Sequence, residues 1–345
     1  MLKYWRLLYE QLEKQDKYNC RSVITMPADE WSGRRSKAMT CLSRQLFYPL
    51  QTKFARHAEI GHVIDHSWAD VLKYMPDNMA KVVTVHDLIP MRYPGELSNS
   101  QLRRFRNRVS GITAADLIIC VSKYTACEVE ALLGISSDKI VVVPNGVTLP
   151  PKYIEPTRVR DVINRRPSRL RVGCLGSVLK RKNIGILPKA LAAAAVELGG
   201  SMTMVRAGAL VDRKLRDEFI DAMGQDNFIE LGRVSDEELE DFYANVDVIV
   251  VPSLYEGFGL PVLEAMARGV PVISSDSSSL PEVAGDAALY FDPYKPEELA
   301  DRLVQVVDNE VSERMKKRGL ERAKKFSWRS TLKGIYSAYD RVLKL

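Results

Sequence analysis

The stretch PSLYEGFGLPVLEAMARGVPVI, residues 252–273, carries the densest structural information in the chain. It follows an apolar run ending at Val251, and its order reads as loop, helix and strand. Gly257 and Gly259 let a backbone approach a ligand closely. Pro261 suits the first helical turn, where its missing N–H is not needed, and Gly269 suits the helix end. Such a strand–loop–helix–strand unit presents N–H groups and the positive end of a helix dipole, which together make an anion site suited to phosphate. Glu256 in the loop and Glu264 near the helix start can address different parts of one ligand, one a sugar hydroxyl and the other a ribose. The spacing equally allows Glu264 to be a first-turn acid favoured by the dipole and Glu256 a solvated loop residue. GFGLPV is not a dinucleotide fingerprint, because Val262 stands where the third glycine of GxGxxG belongs. A nicotinamide-dependent dehydrogenase is therefore disfavoured.

Outward from this block, β-branched runs at 170–175, 202–206, 228–231, 246–251 and 270–274 alternate with helical patterns at 184–198, 212–223, 236–244 and 261–268. Upstream, runs at 63–64, 82–85, 117–121 and 140–143 alternate with helical patterns at 100–111 and 123–133, the latter closed by Gly134. The rhythm predicts α/β architecture with two doubly wound parallel sheets. Residues 151–170, rich in proline and basic side chains, read as the linker between domains 1–150 and 171–325. Residues 326–345 read as a further amphipathic helix whose docking partner the pattern does not reveal.

A chain of 345 residues exceeds one compact core, in agreement with two domains. Hydrophobic residues at 46% and charged residues at 27% describe a water-soluble globular protein, and no apolar run reaches the roughly 20 residues of a spanning helix. Cys20, Cys41, Cys120, Cys127 and Cys174 form no CxxC pair or even framework, which suggests a reducing cytoplasm. The amino terminus is amphipathic and interrupted by charges, so no targeting segment is expected. The net charge is +6, and residues 1–150 hold 20 basic against 15 acidic side chains, most of that excess. Clusters at Arg34, Arg35 and Lys37 and at Arg103, Arg104, Arg106 and Arg108 can meet phosphate, anionic lipid or an acidic substrate. Without a nucleic-acid motif they are read as solvated helix faces, and no nucleic-acid partner is expected. His57, His62 and His66 lack the frame of a metal cluster and are assigned to packing or acceptor contact.

The 252–273 block resembles the E-x7-E signature of the family-four retaining glycosyltransferases, which have the GT-B fold. Further matches fall in order along the chain. LGSVLKRKN at 175–183 is similar to the family's diphosphate loop, VTVHDLIP at 83–90 to its HD motif, VVPNGV at 142–147 to its end-of-first-domain turn, and SLPEVAGDAA at 279–288 to a later pattern. The resemblance implies two Rossmann-like domains facing across a cleft, the first on the acceptor side and the second binding the nucleotide sugar. It implies catalytic roles for His86 and Glu256, with Gly176, Ser177, Arg181, Lys182, Gly257, Phe258, Gly259, Leu260 and Glu264 holding the donor and no metal required. Independently, Arg181 and Lys182 suit a diphosphate leaving group whose charge grows as the glycosidic bond breaks. The chain departs from the family at Ser177, where many members carry arginine. It also departs at the amino terminus, where the first strand and its glycine-rich loop are expected to be missing.

The expected activity is retaining transfer of a hexose from a nucleoside diphosphate sugar to a glycan or lipid-linked glycan, in a cytoplasmic enzyme that can attach peripherally to the inner membrane face. The variants of the HD and phosphate motifs resemble those of bacterial polysaccharide mannosyltransferases, which favours GDP-mannose over UDP-glucose. Tyr4, Trp5, Leu8, Phe47, Tyr48 and Phe54, near Lys3, Arg6, Arg44, Lys53 and Arg56, suggest contact with an anionic bilayer, although core packing explains the aromatics equally. The competing readings are a sugar phosphorylase, a nucleotide-sugar epimerase and a degenerate nucleotide-sugar-binding partner protein.

Overall fold

The computed structural model describes residue 8 and residues 58–165, 168–200 and 202–344. The chain divides into unit 1, Met1–Pro144 with Trp328–Leu345, and unit 2, Asn145–Ser327. Among the expected features, the absent first strand, the aromatic–basic amino-terminal cluster other than Leu8, the 34–37 basic cluster, Cys20, Cys41 and His57 lie outside the described residues.

Unit 1 carries a parallel sheet of β1 (Ile60–Val63), β2 (Ala80–Val85), β3 (Leu117–Cys120) and β4 (Ile140–Val142), in that spatial order. The central β3 is buried at all four residues, as a parallel strand covered on both faces must be. Between the strands lie α1 (Asn99–Val109), entered through a capping box of Ser98 and Gln101, and α2 (Lys123–Leu133), ended by Gly134 in the left-handed conformation.

Unit 2 begins with α3 (Arg158–Ile163), followed by β5 (Leu170–Gly176), α4 (Leu187–Glu197), β6 (Met202–Gly208), α5 (Arg213–Met223), β7 (Phe228–Glu230), α6 (Asp236–Ala244) and β8 (Val248–Val251). Then come α7 (Leu260–Ala267), β9 (Val272–Ser275), α8 (Leu280–Ala284), β10 (Ala288–Phe291), α9 (Pro296–Gln305) and α10 (Asn309–Lys324). Its six strands are parallel in the order β10-β9-β8-β5-β6-β7.

Two expectations change. Residues 151–170 are not a bare linker. In α3, Val159 and Ile163 are buried, and the fully buried Asp241 of α6 accepts hydrogen bonds from Thr157 N and Oγ1 and from the Arg160 guanidinium. Burial alone would raise the Asp241 carboxyl, but the Thr157 and Arg160 donors hold it below its usual range. A short segment without hydrophobic period is thus bound by one carboxylate some eighty positions away. The strand β10 escapes the sequence reading because it is an edge strand with three of its four residues only half-buried.

The last helix, α11 (Trp328–Val342), returns to unit 1. Leu332, Ile335, Tyr336, Tyr339 and Val342 recur at helical spacing and pack on Val82, Leu117, Ile119 and Val143. A methyl group added at Gly334 would lie 2.8 Å from Val143 Cγ1, so the glycine permits this close approach. Leu8 joins the same cluster and is 2% exposed, which removes it from any bilayer-facing surface.

Candidate active site

The topology of unit 2 singles out one place on its sheet. From β5 the chain winds outward through β6 and β7, then returns to β8 on the other side of β5 and winds outward through β9 and β10. The loops leaving the carboxyl ends of β5 and β8 therefore part at a topological switch point, where open α/β sheets bind ligands. They are the two loops singled out in the sequence, 177–183 and 252–259.

Backbone and side chains join them. Leu254 N donates to Arg181 O at 2.7 Å, and Lys182 Nζ donates to Glu256 Oε1 at 2.5 Å. Ser253 Oγ donates to the same carboxylate oxygen at 2.7 Å, while Arg181 Nη1 stands 3.9 Å from Oε2. The three charged side chains are 11–17% exposed, so their mutual field is screened far less than at a surface. The alternative of a solvated Glu256 is thereby set aside. Of the two cations, Lys182 makes the direct contact.

Glu256 is also held through its backbone. Its N–H donates to Ser278 Oγ at 2.9 Å, and its carbonyl accepts from Ser279 Oγ at 2.9 Å. Ser275 Oγ donates to Ser253 O, tying the end of β9 to the same loop. Ser278 sits at φ 56, a left-handed conformation a non-glycine residue rarely adopts, so local strain is spent on placing this hydroxyl. Across the site Asn183, at φ 54, donates from Nδ2 to Pro293 O at 2.7 Å and pins the end of the basic turn.

The remaining unit 2 residues divide by role. Gly176 ends β5 at φ 122, and Ser177 follows it, half-buried, at the mouth of the basic loop. Gly257 and Gly259 are buried, and Gly259 at φ 99 precedes α7 with no side chain capping the helix. Phe258 turns into the core, edge-on to Phe326 at 5.9 Å, so only its backbone is available to a ligand, whereas Leu260 is exposed. Glu264 is the fifth residue of α7 rather than a first-turn acid, which corrects the dipole argument. It accepts from Tyr243 Oη at 3.1 Å, and Arg268 donates to its carbonyl while pairing with Glu240. Burial and the Glu264 carboxylate push the Tyr243 phenol well above its ordinary value, so it remains a donor.

His86 belongs to unit 1, at the end of β2. Its Nε2 lies 2.9 Å from Ile64 O, and because a carbonyl only accepts, Nε2 carries the proton. Its backbone N–H donates to His66 Nδ1 at 3.3 Å. Burial and the neighbouring His66 lower His86 to about 4, so at neutral pH it is an uncharged imidazole. His62 is likewise lowered, to about 3, by burial and His86, and lies between Tyr339 Oη at 2.7 Å and Thr84 Oγ1 at 2.8 Å. His62 is thus a packing residue for α11. Among the described residues no group of three or more His, Cys, Asp or Glu side chains is placed to hold a metal.

Comparison with known proteins bears on what this site belongs to. Residues 157–325 match the family described as Glycosyl transferases group 1, and residues 21–149 match Glycosyltransferase Family 4. The O-antigen chain mannosyltransferase B of Escherichia coli is 31% identical over 283 residues, spanning 77% of this chain and 72% of that protein. The chain is a family-four glycosyltransferase. The serotype-specific mannosyltransferase WbdA of Escherichia coli is 29% identical over 299 residues, 81% of this chain but 36% of WbdA, so the chain spans about a third of that longer relative. Among solved structures, sucrose-phosphate synthase from Thermosynechococcus elongatus shares the fold, with a TM-score of 0.68 at 21% identity over 90% of this chain and 81% of that one. The fold class is GT-B.

In this glycosyltransferase the sequence motifs named the charged residues of unit 2, but Ser253, Ser278, Ser279 and Tyr243 were missed. The serine run at 274–279 after an apolar strand was a visible signal, since hydroxyls in that number on a loop at a strand's carboxyl end have backbone groups to hold.

Proposed function

We propose that this glycosyltransferase moves a mannosyl unit from GDP-mannose to a hydroxyl of a growing polysaccharide, with retention of anomeric configuration and without a metal ion. The observation that carries the reading is the buried meeting of Lys182, Arg181 and Glu256 at the switch point of the unit 2 sheet. In the step proposed, the bond from sugar C1 to the diphosphate oxygen breaks, a bond from C1 to the acceptor oxygen forms on the same face, and the acceptor proton passes to the departing phosphate. Lys182 and Arg181 take up the charge that develops on the diphosphate, a task two fixed cations perform in a water-poor site. Glu256 orients the sugar and Glu264 binds the ribose, while His86 of unit 1 offers substrate a neutral hydrogen-bonding group. Mannose is supported by the names of the mannosyltransferase relatives, with UDP-glucose the next donor to test.

Among the described residues no helix is long and apolar enough to cross a membrane. A lipid-linked acceptor met at an anionic surface is supported by the basic excess in residues 1–150, to which the exposed Arg103, Arg104 and Arg106 of α1 belong. Vesicles containing anionic lipid should sediment the protein at low salt and release it at physiological salt; retention in the supernatant at low salt would point to a soluble acceptor.

Glu256→Gln tests the core of the reading. Turnover with GDP-mannose should fall about 100-fold or more while GDP binding persists, as for loss of a group acting on the transition state. Activity within about threefold of wild type would remove Glu256 from that role. Undiminished turnover in EDTA is expected, and loss restored by magnesium or manganese would overturn metal independence. Proton NMR of the first-formed product reads the anomeric configuration.

A further inference from the structure

One buried charge near the phosphate loop is used by nothing described so far. Arg206 lies on β6 and is 1% exposed, a cation among the largest fully buried side chains. It follows Met202 and Met204 on the same strand face, and its register partner on β5 is Cys174, so periodicity calls for an apolar residue there. Its Nη2 donates to Gly176 O at 3.2 Å and to Ala209 O at 3.0 Å, while Nε and Nη1, both buried, make no hydrogen bond. Its register partner on β7 is Glu230, but that buried carboxylate is taken up by Arg216 Nη1 at 2.6 Å and Val211 N at 2.9 Å, and among the described residues no carboxylate stands within ion-pair distance of Arg206.

What Arg206 grips is the root of the basic loop. A methyl group added at Gly208 would lie 2.3 Å from Gly176 O, so the tips of β5 and β6 are pressed together where the guanidinium binds. One added at Gly176 would lie 3.9 Å from Lys182 Cε, placing the lysine stem against the same residue, and Lys182 Nζ reaches Glu256. Arg206, Gly176, Lys182 and Glu256 thus form one contiguous series. Burial pushes the Cys174 thiol up, and Arg206 and Lys182 both act against that rise, which puts the two cations in the same neighbourhood.

An unpaired buried cation is costly to a fold, and a site that retains one gains when an anion arrives nearby. We infer that Arg206 is a positioning residue for the donor diphosphate: it fixes the Gly176 carbonyl at the base of loop 177–183 and supplies positive potential beneath it, acting through the loop. This rests on the nucleotide-sugar reading above.

The test uses the full chain and calorimetric titration of GDP against guanosine, repeated with UDP against uridine, on wild type, Arg206→Gln and Arg206→Lys, each checked by circular dichroism. Glutamine removes the charge and, two atoms shorter, the grip on Gly176 O, so Arg206→Gln should weaken the diphosphate about tenfold or more and leave the nucleoside within about twofold. Arg206→Lys, which keeps the charge, should recover most of that loss. Equal weakening of nucleoside and diphosphate, or a lysine variant no better than the glutamine one, would make Arg206 merely structural and overturn the inference. If wild type prefers a diphosphate to its nucleoside and Arg206→Gln keeps that preference, the inference alone fails. If wild type binds neither GDP nor UDP better than the nucleosides, the nucleotide-sugar reading fails with it.

Discussion

The two units solve the same problem, a parallel sheet covered by helices, with different chemistry. Unit 2 joins distant segments by charge: Asp241 binds the turn before α3, Glu256 binds the basic loop, and Arg268 pairs with Glu240 beside Glu264. Unit 1 has such an ion pair too, Arg92 with the buried Glu128, but it seats its most distant segment by apolar packing and neutral imidazole: α11 covers β2, β3 and β4, and His62 links Thr84 to Tyr339. Ionic joints fix in place the loops that carry the charged side chains of unit 2. A helix arriving from the far end of the chain needs only a continuous apolar stripe, with a hydrogen bond to set its register. The two units should therefore fail under different insults, and a two-transition description is required.

Among substitutions, the largest effect is expected from breaking an ionic joint. Asp241→Asn leaves the Arg160 guanidinium and the Thr157 donors without their charge partner, and should destabilise unit 2 by about 3 kcal/mol or more. Urea unfolding followed by hydrogen exchange should show faster exchange in α3 and α6 with unit 1 unchanged; a uniform loss across both units would contradict the division. Next, Ile335→Ala on α11 should cost about 2–4 kcal/mol in unit 1, since a fully buried side chain is removed from a packed cluster. GDP binding should be preserved, and its loss would show that unit 2 depends on α11.

A change of conditions, in place of a substitution, sharpens the comparison through pH. His62 and His86, lowered to about 3 and about 4, bind fewer protons folded than in the unfolded chain, where histidine titrates near 6.5. Their contribution is full above pH 6.5 and is lost as the pH falls toward 4. Asp241, depressed in the folded state, loses its contribution only as the pH falls below the ordinary carboxylate range. Exchange measured between pH 7 and 4 should thus open unit 1 first, and His62→Asn should flatten that dependence. An acid-labile unit 2 with a stable unit 1 would reverse the assignment.

Much of unit 2 was legible because its signals are local. The alternation of strand and helix, the left-handed Gly259, Pro261 inside the first turn of α7 and the basic run at 180–182 all lie within a few residues of the features they produce. The domain boundary was less legible. Proline and basic residues at 151–170 resemble a linker until Asp241 is brought to them, and β10 is too short and too exposed to announce itself.

By its residues alone, the chain determined that two α/β units form and that loops 177–183 and 252–259 carry the charged chemistry, since periodicity and turn conformation are properties of neighbouring residues. Only the tertiary structure decided which groups hold those loops in place. Ser278 meets Glu256 across 22 positions, Arg206 reaches Gly176 across 30, and Tyr339 meets His62 across 277. A hydrogen bond or a buried charge depends on distances of a few ångströms in space, and separation along the chain carries no record of them until the sheets have formed.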